Sequence, residues 1–392
     1  MSKKNKLTQE SNFLLYLWFP NIFQFKGGIQ AYSIFLLEAL QNLYPKINYD
    51  IFLKHDTHDS RSTSFLENTD FHFSGNWHKN LRTFAFATQL LIFAIFKRPK
   101  LIISTHINFT PVALYLKKIL GIPYWTVVHG IDAWNISDAK LKIALHNSDR
   151  IIAVSNYTRN RIIAEEKIDP NKISILPNTF NSQRFQIGEK PKYLLERYGL
   201  NKGQPIILTV TRLASSDGYK GYDQIIEIMP IIKSKIPNVH YILAGTGDDI
   251  TRLEALIEEL NLRDCVTLAG FVNDDELCDH YNLCDVFAMP SQGEGFGIVY
   301  LEALACGKPV IGGNQDGAID ALCHGELGAL VDPNDKDEIA QTLIAILEGD
   351  YPNSLLYQPK ALRERVIDNF GFERFTKTIW ELIEDSPLGI NL

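Results

Sequence analysis

The sequence has 392 residues, enough for two domains, and its 45% hydrophobic and 22% charged residues are typical of a globular protein. A net charge of −7 gives no global electrostatic support for nucleic-acid binding, so we predict no nucleic-acid partner. Five cysteines without a C-x-x-C pair predict reduced thiols, a cytoplasmic location and no cysteine-based metal site.

The first half of the chain alternates short apolar runs with longer amphipathic segments. We expect its basic start, MSKKNK, to be a solvated and frayed terminus. The predicted strands that follow are Phe13–Trp18, Leu101–Ser104, Tyr124–Val128 and Ile151–Val154. These runs are continuously apolar rather than alternating, which is the pattern of strands covered on both faces. We therefore predict a parallel sheet flanked by helices.

The longest apolar block, Phe84 to Phe96, allows two interpretations. It has 13 residues, too few to cross a bilayer, and basic residues flank it on both sides. One interpretation is a helix that lies on the inner surface of a membrane and makes peripheral contact with it. The other is a helix buried against the sheet, which we favour because the block is apolar on every helical face.

The second half repeats this rhythm after a polar stretch. Its predicted strands are Ile206–Thr211, His240–Ala244, Val266–Gly270, Val286–Met289 and Pro309–Gly313. Polar residues at 185–190 predict a linker between domains 1–185 and 191–374, and a last helical segment, 375–392, is expected to pack back on the first domain. The predicted fold class is α/β, with two doubly wound Rossmann-like domains facing a central cleft, where ligands of such sheets bind.

One stretch, SQGEGFGIVYLEALACGKPVIGG, combines a glycine-rich loop with a helix that we expect to begin near Gly297. Free amides and the positive end of the helix dipole favour a diphosphate there. Glu294 in the loop can accept hydrogen bonds from sugar hydroxyls, and Glu302 in the helix can accept both hydroxyls of a ribose. The alternative is a solvated helix residue at Glu302 and a helix-favouring acid at Glu294.

Two loops of the first half add candidates. Gly27 and Gly28, in KGGIQAYS, follow the first predicted strand and open a helix, where glycines allow a phosphate to approach the backbone. His129 and Asp132, in HGIDAW, are polar groups at the end of another predicted strand. The alternatives are an ordinary strand–helix turn and a structural histidine.

The second half supplies cations but little evidence for a metal. Arg212 and Lys220 follow its first predicted strand and can neutralise a leaving diphosphate, the alternative being surface charge. The turn AGTGDD at Gly245 is not a dinucleotide fingerprint, because Ile250 occupies the position of the last required glycine. The Asp-x-Asp pair that begins at Asp335 predicts a helix N-cap rather than a metal site.

Together, these segments resemble the retaining glycosyltransferases of family 4, which have the two-domain GT-B fold. The strongest match is GEGFGIVYLEALACGKPVIGG, with the family's E-x7-E motif at Glu294 and Glu302. Weaker matches follow the family's order along nearly the whole chain: GGIQ, HG, DRIIAVSNYT, ISILPNTFN, YILAGTGDD, VTLAGFVNDDEL and GALVDPND. The chain departs from the family in a longer interval from Arg212 to Lys220 and in the turn PNTF, which replaces Pro-Asn-Gly.

The resemblance implies a role for each candidate. Glu294 would contact hydroxyls of the donor sugar, Glu302 the nucleotide ribose, and Arg212 and Lys220 the diphosphate, while His129 would touch the sugar from the other domain. From the residues and the resemblance together, the remaining residues predicted to line the nucleotide-sugar site are Gly27, Gly28, Gly245, Gly295, Phe296, Gly297 and Ile298.

The resemblance also implies the reaction. A hexose would move, with retention of its anomeric configuration, from a GDP-mannose or UDP-glucose type of donor to a glycan or lipid-linked saccharide in cell-surface polysaccharide synthesis. The acceptor hydroxyl would attack on the face that the diphosphate leaves, without a metal or other cofactor. The alternatives are a nucleotide-sugar epimerase or hydrolase on the same fold, and a non-catalytic module associated with a membrane.

Overall fold

The computed structural model describes residues 13–24, 27–57, 65 and 67–385. The basic start MSKKNK, Lys26 and the end of the predicted C-terminal segment lie outside them. The chain forms two compact units: unit 1 comprises the chain up to Asn178 together with the residues from Phe372, and unit 2 comprises Thr179–Gly371.

Unit 1 is built on a parallel sheet in which seven described strands follow the order β3-β2-β1-β4-β5-β6-β7. The strands are β1 (Leu14–Phe19), β2 (Asn48–Leu53), β3 (Thr69–Phe73), β4 (Leu101–Ser104), β5 (Tyr124–Val128), β6 (Arg150–Ala153) and β7 (Ile173–Ile175). The continuously apolar runs form β1, β4, β5 and β6, as predicted. Sequence analysis missed β2, β3 and β7, which carry polar residues within their runs.

Five helices described in the first part of unit 1 accompany this sheet: α1 (Gly28–Leu43), α2 (Lys79–Lys97), α3 (Thr110–Leu120), α4 (Ala139–His146) and α5 (Asn156–Glu166). The prediction of a helix over the longest apolar block is confirmed by α2, but the prediction that it is buried against the sheet holds for only one side of the helix. Phe86, Leu90 and Ala94 join the core, whereas Phe84 is 74% and Phe96 82% exposed. The helix is apolar all round, and only one side of it meets the protein.

Unit 2 contains a second parallel sheet, with the order β10-β9-β8-β11-β12-β13 among the described strands. These are β8 (Ile206–Val210), β9 (His240–Ala244), β10 (Val266–Gly270), β11 (Val286–Met289), β12 (Val310–Gly313) and β13 (Ala329–Val331). The five predicted strands are confirmed, and only the short β13 was missed. Each sheet continues outward in both directions from its first strand, so both are doubly wound and Rossmann-like, as predicted.

Helices surround this second sheet as well: α6 (Lys192–Tyr198), α7 (Tyr222–Lys235), α8 (Ile250–Glu259), α9 (Asp274–Leu283), α10 (Ile298–Ala305), α11 (Ala318–Ala321), α12 (Lys336–Glu348) and α13 (Pro359–Phe370). The predicted linker belongs to this unit. Arg363 donates hydrogen bonds to the carbonyls of Ser182, at 2.6 Å, and Phe185, and the amide of Gly188 donates to Asn282 at 2.8 Å. These bonds tie the segment to unit 2, and the division of the chain falls before Thr179 instead.

The last described helix, α14 (Phe372–Glu384), returns to unit 1 and packs on α1. The rings of Tyr32 and Phe375 meet edge to face, with centroids 5.6 Å apart, and Arg150 donates a hydrogen bond to the carbonyl of Leu382 at 2.8 Å. No helix in the described part of the chain is long and apolar enough to cross a membrane.

Candidate functional site

The loops after β8 and β11 meet at the carboxyl edge of the sheet of unit 2. These two strands are neighbours, and the chain winds away from them in opposite directions, so their loops flank the switch point where doubly wound sheets bind ligands. The amide of Gln292 in the second loop donates to the carbonyl of Tyr219 in the first, at 2.8 Å. The sequence candidates Arg212, Lys220 and Glu294 all lie on these two loops.

Helix α10 begins at Ile298, as predicted, with Gly297 as its N-cap at φ 90°. A side chain at Gly297 would place its Cβ 2.4 Å from the ring of Tyr300, whose hydroxyl donates to the carbonyl of Met289 at 2.7 Å. No described residue accepts a hydrogen bond from the amides of Phe296, Gly297 or Ile298. Three donors at the positive end of a helix can therefore bind a phosphate.

A buried carboxylate, Asp316, holds this loop in shape. It accepts hydrogen bonds from the hydroxyl of Ser291 and from the amides of Glu294, at 2.7 Å, and Ala318, at 2.9 Å. Burial raises its pKa to about 7, although these hydrogen bonds oppose the rise. Sequence analysis assigned no role to Asp316. Its one signal was its place in NQDGAID, directly after a predicted strand.

Lys220 and Glu294 form an ion pair between the two loops. Both side chains are largely buried. Burial by itself would lower the pKa of Lys220, but the carboxylate of Glu294 outweighs it, and the pKa lies above its ordinary value. The structure therefore brings together the residue predicted to bind diphosphate and the residue predicted to bind the sugar.

Arg212 is oriented by a buried acid that sequence analysis did not single out. Its guanidinium makes two contacts of 2.7 Å with one carboxylate oxygen of Asp217, while much of the arginine side chain stays exposed. Asp217 lies in the segment SSDGY that lengthens the interval from Arg212 to Lys220. The insertion thus supplies a partner for the arginine.

Glu302 lies within α10, as predicted. The hydroxyl of Tyr281, on α9, donates to its carboxylate at 2.7 Å. Burial raises the pKa of Glu302 to about 7, although the bond from Tyr281 and the charge of Arg184 oppose the rise. This carboxylate therefore changes its charge near neutral pH.

The structure gives Gly245 a packing role. At φ +151°, a Cβ on this residue would lie 1.8 Å from the carbonyl oxygen of Thr211, so the turn can approach the loop after β8 only with glycine. Its amide donates to the carbonyl of Gly270 at 2.8 Å and is already used. A direct contact between Gly245 and a nucleotide stays a prediction.

The remaining candidates lie in unit 1. Gly27 is the extended N-cap of α1, and the first turn of that helix has neither a side-chain cap nor an acidic residue. A Cβ added to Gly28 would meet nothing within 4 Å. Among the described residues, none caps the start of α1 through a side chain, so an anion can bind there with the helix dipole behind it.

His129 follows β5 and is neutral. Burial, and to a lesser extent the neighbouring His106, lower its pKa to about 3. Its Nε2 lies 3.1 Å from the carbonyl oxygen of Thr105, which can only accept, so Nε2 carries the proton and Nδ1 is left as an acceptor. Asp132 accepts from the amide of His129 at 2.9 Å, and burial raises its pKa to about 7.

The acids of the predicted helix N-cap behave as predicted. Asp335 accepts a hydrogen bond from the amide of Glu338 at 2.9 Å and caps α12. Over the described ranges, no group of three or more His, Cys, Asp or Glu side chains is placed to hold a metal ion. None of the five cysteines forms a disulfide bond.

Comparison with protein families covers both units. The model described as "Glycosyltransferase Family 4" matches residues 26–184, and the model "Glycosyl transferases group 1" matches residues 194–369. The chain belongs to the family 4 glycosyltransferases. This confirms the resemblance found in the sequence.

A relative of this glycosyltransferase is the GDP-mannose-dependent alpha-(1-6)-phosphatidylinositol monomannoside mannosyltransferase of Mycolicibacterium smegmatis. The two are 30% identical over 247 residues, which are 61% of this chain and 63% of the relative. The matched region thus spans less than two thirds of that relative's length.

Two solved structures share the GT-B fold of this glycosyltransferase. Sucrose-phosphate synthase from Thermosynechococcus elongatus superposes with a TM-score of 0.78 at 22% identity, covering 95% of this chain and 98% of the synthase. Anabaena Alr3699/HepE in complex with UDP superposes with a TM-score of 0.75 at 19% identity, covering 95% and 99% of the two chains. Together they confirm the predicted fold class.

Proposed function

We propose that this glycosyltransferase moves a hexose, with retention of configuration, from a nucleoside-diphosphate sugar to a glycan or lipid-linked saccharide in cell-surface polysaccharide synthesis. The observation that carries the proposal is the start of α10. Its three available amides stand beside the two loops that hold Lys220, Glu294 and Arg212. A diphosphate would gain hydrogen bonds, a helix dipole and two cations at that edge of the sheet.

The chemistry of the proposed transfer follows from these groups. As the bond to the sugar breaks, charge develops on the leaving diphosphate, and Arg212 and Lys220 would stabilise it without a metal. The acceptor hydroxyl would attack on the face that the diphosphate leaves and pass its proton to a phosphate oxygen. Neutral His129 would accept a hydrogen bond from a hydroxyl of the donor sugar through Nδ1, and Glu294 would accept others.

The donor base stays open between guanine and uracil. The mycobacterial relative is described as GDP-mannose-dependent, while the Anabaena neighbour was solved with UDP. A lipid-linked acceptor is supported by the same relative, whose described substrate is a phosphatidylinositol mannoside. Membership of a transferase family disfavours an epimerase, a hydrolase and a non-catalytic module.

A thermal-shift screen of nucleoside diphosphates tests the donor site. A diphosphate at about 100 times its dissociation constant should stabilise the fold by roughly 2.7 kcal/mol, and comparing GDP with UDP identifies the base. Incubation with each sugar donor alone then distinguishes transfer from hydrolysis or epimerisation, since a transferase needs an acceptor. No shift with any nucleoside diphosphate would contradict the proposal.

A further inference from the structure

Helix α2 presents an apolar stripe to solvent. Leu81, Phe84, Ile92 and Ile95 are spaced three or eight residues apart, close to one or two turns of the helix, lie opposite the face that joins the core, and are exposed. Phe96 extends the stripe at its end. A contiguous patch of this kind marks a surface that another apolar phase covers.

The charge around the stripe is opposite in sign to that of the whole chain. No Asp or Glu occurs between Asp70 and Asp132, yet seven Lys or Arg residues do, in a chain of net charge −7. Four of these cations are exposed and make no ion pair with a described residue: Lys79, Arg98, Lys100 and Lys118. Such a surface attracts an anionic one.

A cavity of about 290 Å³ adjoins the stripe. Thr83 and Ala87, next to the outward positions of α2, form one side of it, and Phe86 and Phe109 give it apolar walls. Lys54 also lines the cavity, and its ammonium group lies 5.9 Å from the centre of the Phe109 ring. The cavity therefore combines hydrocarbon walls with a cation.

Two lysines, Lys54 and Lys140, and one acid, Asp138, line this cavity, and the charge of Arg82 acts on Lys54. Lys54 forms no ion pair within the described part of the chain, and burial and nearby Arg82 lower its pKa. The Arg82 guanidinium lies 3.3 Å from the ring of His55. The acid on the cavity wall, Asp138, is engaged as the cap of α4. An anion bound here would relieve the repulsion among these cations.

We propose that unit 1 docks on a bilayer containing anionic phospholipid, with the α2 stripe in the interface and a lipid phosphate bound at Lys54 in the cavity. The helix lies on the membrane rather than crossing it, with its exposed stripe in the interface and its flanking cations near the lipid headgroups. Vesicle binding is measured without any nucleotide sugar. Failure of the proposed sugar transfer would leave this result unchanged.

Co-sedimentation of the full chain with vesicles tests the stripe. We expect binding to vesicles of phosphatidylcholine with phosphatidylglycerol, little binding to phosphatidylcholine alone, and weaker binding at about 0.5 M salt. The double variant Phe84→Ser/Phe96→Ser should bind about tenfold more weakly, because both rings leave the interface. Its unfolding temperature should match that of the unchanged chain, because both residues are exposed.

The matched control is Phe271→Ser, in unit 2, where the side chain is 73% exposed. It should leave vesicle binding unchanged. Equal binding of the double variant and the unchanged chain would overturn the proposal. The proposal would also be overturned if the unchanged chain did not bind anionic vesicles and instead formed a dimer, measured by light scattering, while the double variant was a monomer. The stripe would then be covered by a second copy of the chain.

The cavity is tested by Lys54→Ala, with the exposed Lys235→Ala of unit 2 as its control. We expect Lys54→Ala to weaken binding to phosphatidylglycerol vesicles about fivefold, as loss of one buried charge-assisted hydrogen bond would, and Lys235→Ala to leave it unchanged. Unchanged vesicle binding by Lys54→Ala would show that the cavity does not bind the lipid phosphate. Inorganic phosphate that displaces the vesicles at low concentration would point to a free-phosphate site and overturn the lipid assignment.

Discussion

The ammonium group of Lys220 contacts the carboxylate of Glu294, so the predicted diphosphate-binding cation and the predicted sugar-binding acid neutralise each other. A donor diphosphate arriving at Lys220 would compete with Glu294 for this cation. Once displaced, the carboxylate would be available to hydroxyls of the donor sugar. Donor binding and the positioning of Glu294 would thus be coupled through one ion pair.

Glu294→Gln separates these two effects. The amide keeps the shape of the side chain but gives up the ion pair, so a nucleoside diphosphate without a sugar should bind about fivefold more tightly. Turnover should fall by roughly 100-fold, because an oriented contact to the reacting sugar is lost. Calorimetry and initial rates measure the two effects, with the exposed Glu254→Gln of α8 as control. Unchanged turnover would contradict the role assigned to Glu294.

Glu302 makes nucleotide binding depend on pH near neutrality. Its pKa is about 7, and a carboxylate must be charged to accept both hydroxyls of a ribose. Below pH 7, nucleotide binding should therefore release a proton. The affinity should rise by at most about tenfold per pH unit up to about pH 7 and then level off. Calorimetry from about pH 5.5 to 8.5 measures this.

The control for this profile is Glu302→Gln. The diphosphate of the nucleotide also titrates in this pH range, so the informative quantity is the difference between the affinity profiles of the unchanged chain and the Gln variant. The Gln variant should lack the pH dependence of affinity that titration of Glu302 causes. Tyr281→Phe removes the hydrogen bond that lowers the pKa of Glu302 and should move the midpoint to higher pH. Parallel profiles in all three proteins would rule out Glu302 as the titrating group.

The strands and the donor loop could be read from the sequence because their signals are local. β8, β11 and the start of α10 each follow from a continuous apolar run or from glycines next to it. β2 was missed because Asp50 interrupts its run. This acid is buried only because His72, at 2.7 Å, and Lys97, at 3.0 Å, reach it from distant parts of the chain.

The same limit explains what was missed at the site. Glu294 and Lys220 were each predicted, but their pairing depends on two loops meeting in space. Asp316 was not predicted, because its role is to hold the Ser291 hydroxyl and the Glu294 amide of a loop that precedes it by more than twenty residues. The exposed face of α2 was misjudged for a related reason, since an apolar pattern does not reveal how many neighbours a helix has.

Gly297 is required by its backbone and by its neighbour. Gly297→Ala would strain a residue at φ 90° and push a Cβ into the ring of Tyr300, so we expect a loss of about 1–3 kcal/mol in the free energy of unfolding. Nucleoside-diphosphate affinity should fall as well, because the start of α10 shifts. Denaturant unfolding measures the first effect. Gly203→Ala, where a Cβ meets nothing within 4 Å, should be close to neutral, and equal effects of the two would contradict the argument.

Cys278 should be the most reactive thiol of this glycosyltransferase. A hydrogen bond with the thiol of Cys306, whose sulfur lies 3.9 Å away, lowers the pKa of Cys278 to about 6 despite partial burial. Burial raises the pKa of the other partly exposed cysteine, Cys323. At pH 7, iodoacetamide followed by peptide mass spectrometry should therefore find Cys278 alkylated first. Cys306→Ala should slow this reaction, and faster labelling of Cys323 would contradict it.

Metal removal tests how the leaving diphosphate is stabilised. Arg212, Lys220 and the amides that begin α10 offer the positive charge that a divalent cation supplies in other enzymes, and no described cluster of three ligand side chains stands nearby. We expect initial rates in excess EDTA to equal those in magnesium. A metal-dependent transferase assayed in parallel shows that chelation is complete. Activity lost in EDTA and restored by magnesium or manganese would mean that a metal bound with the donor takes the place assigned here to the two cationic side chains.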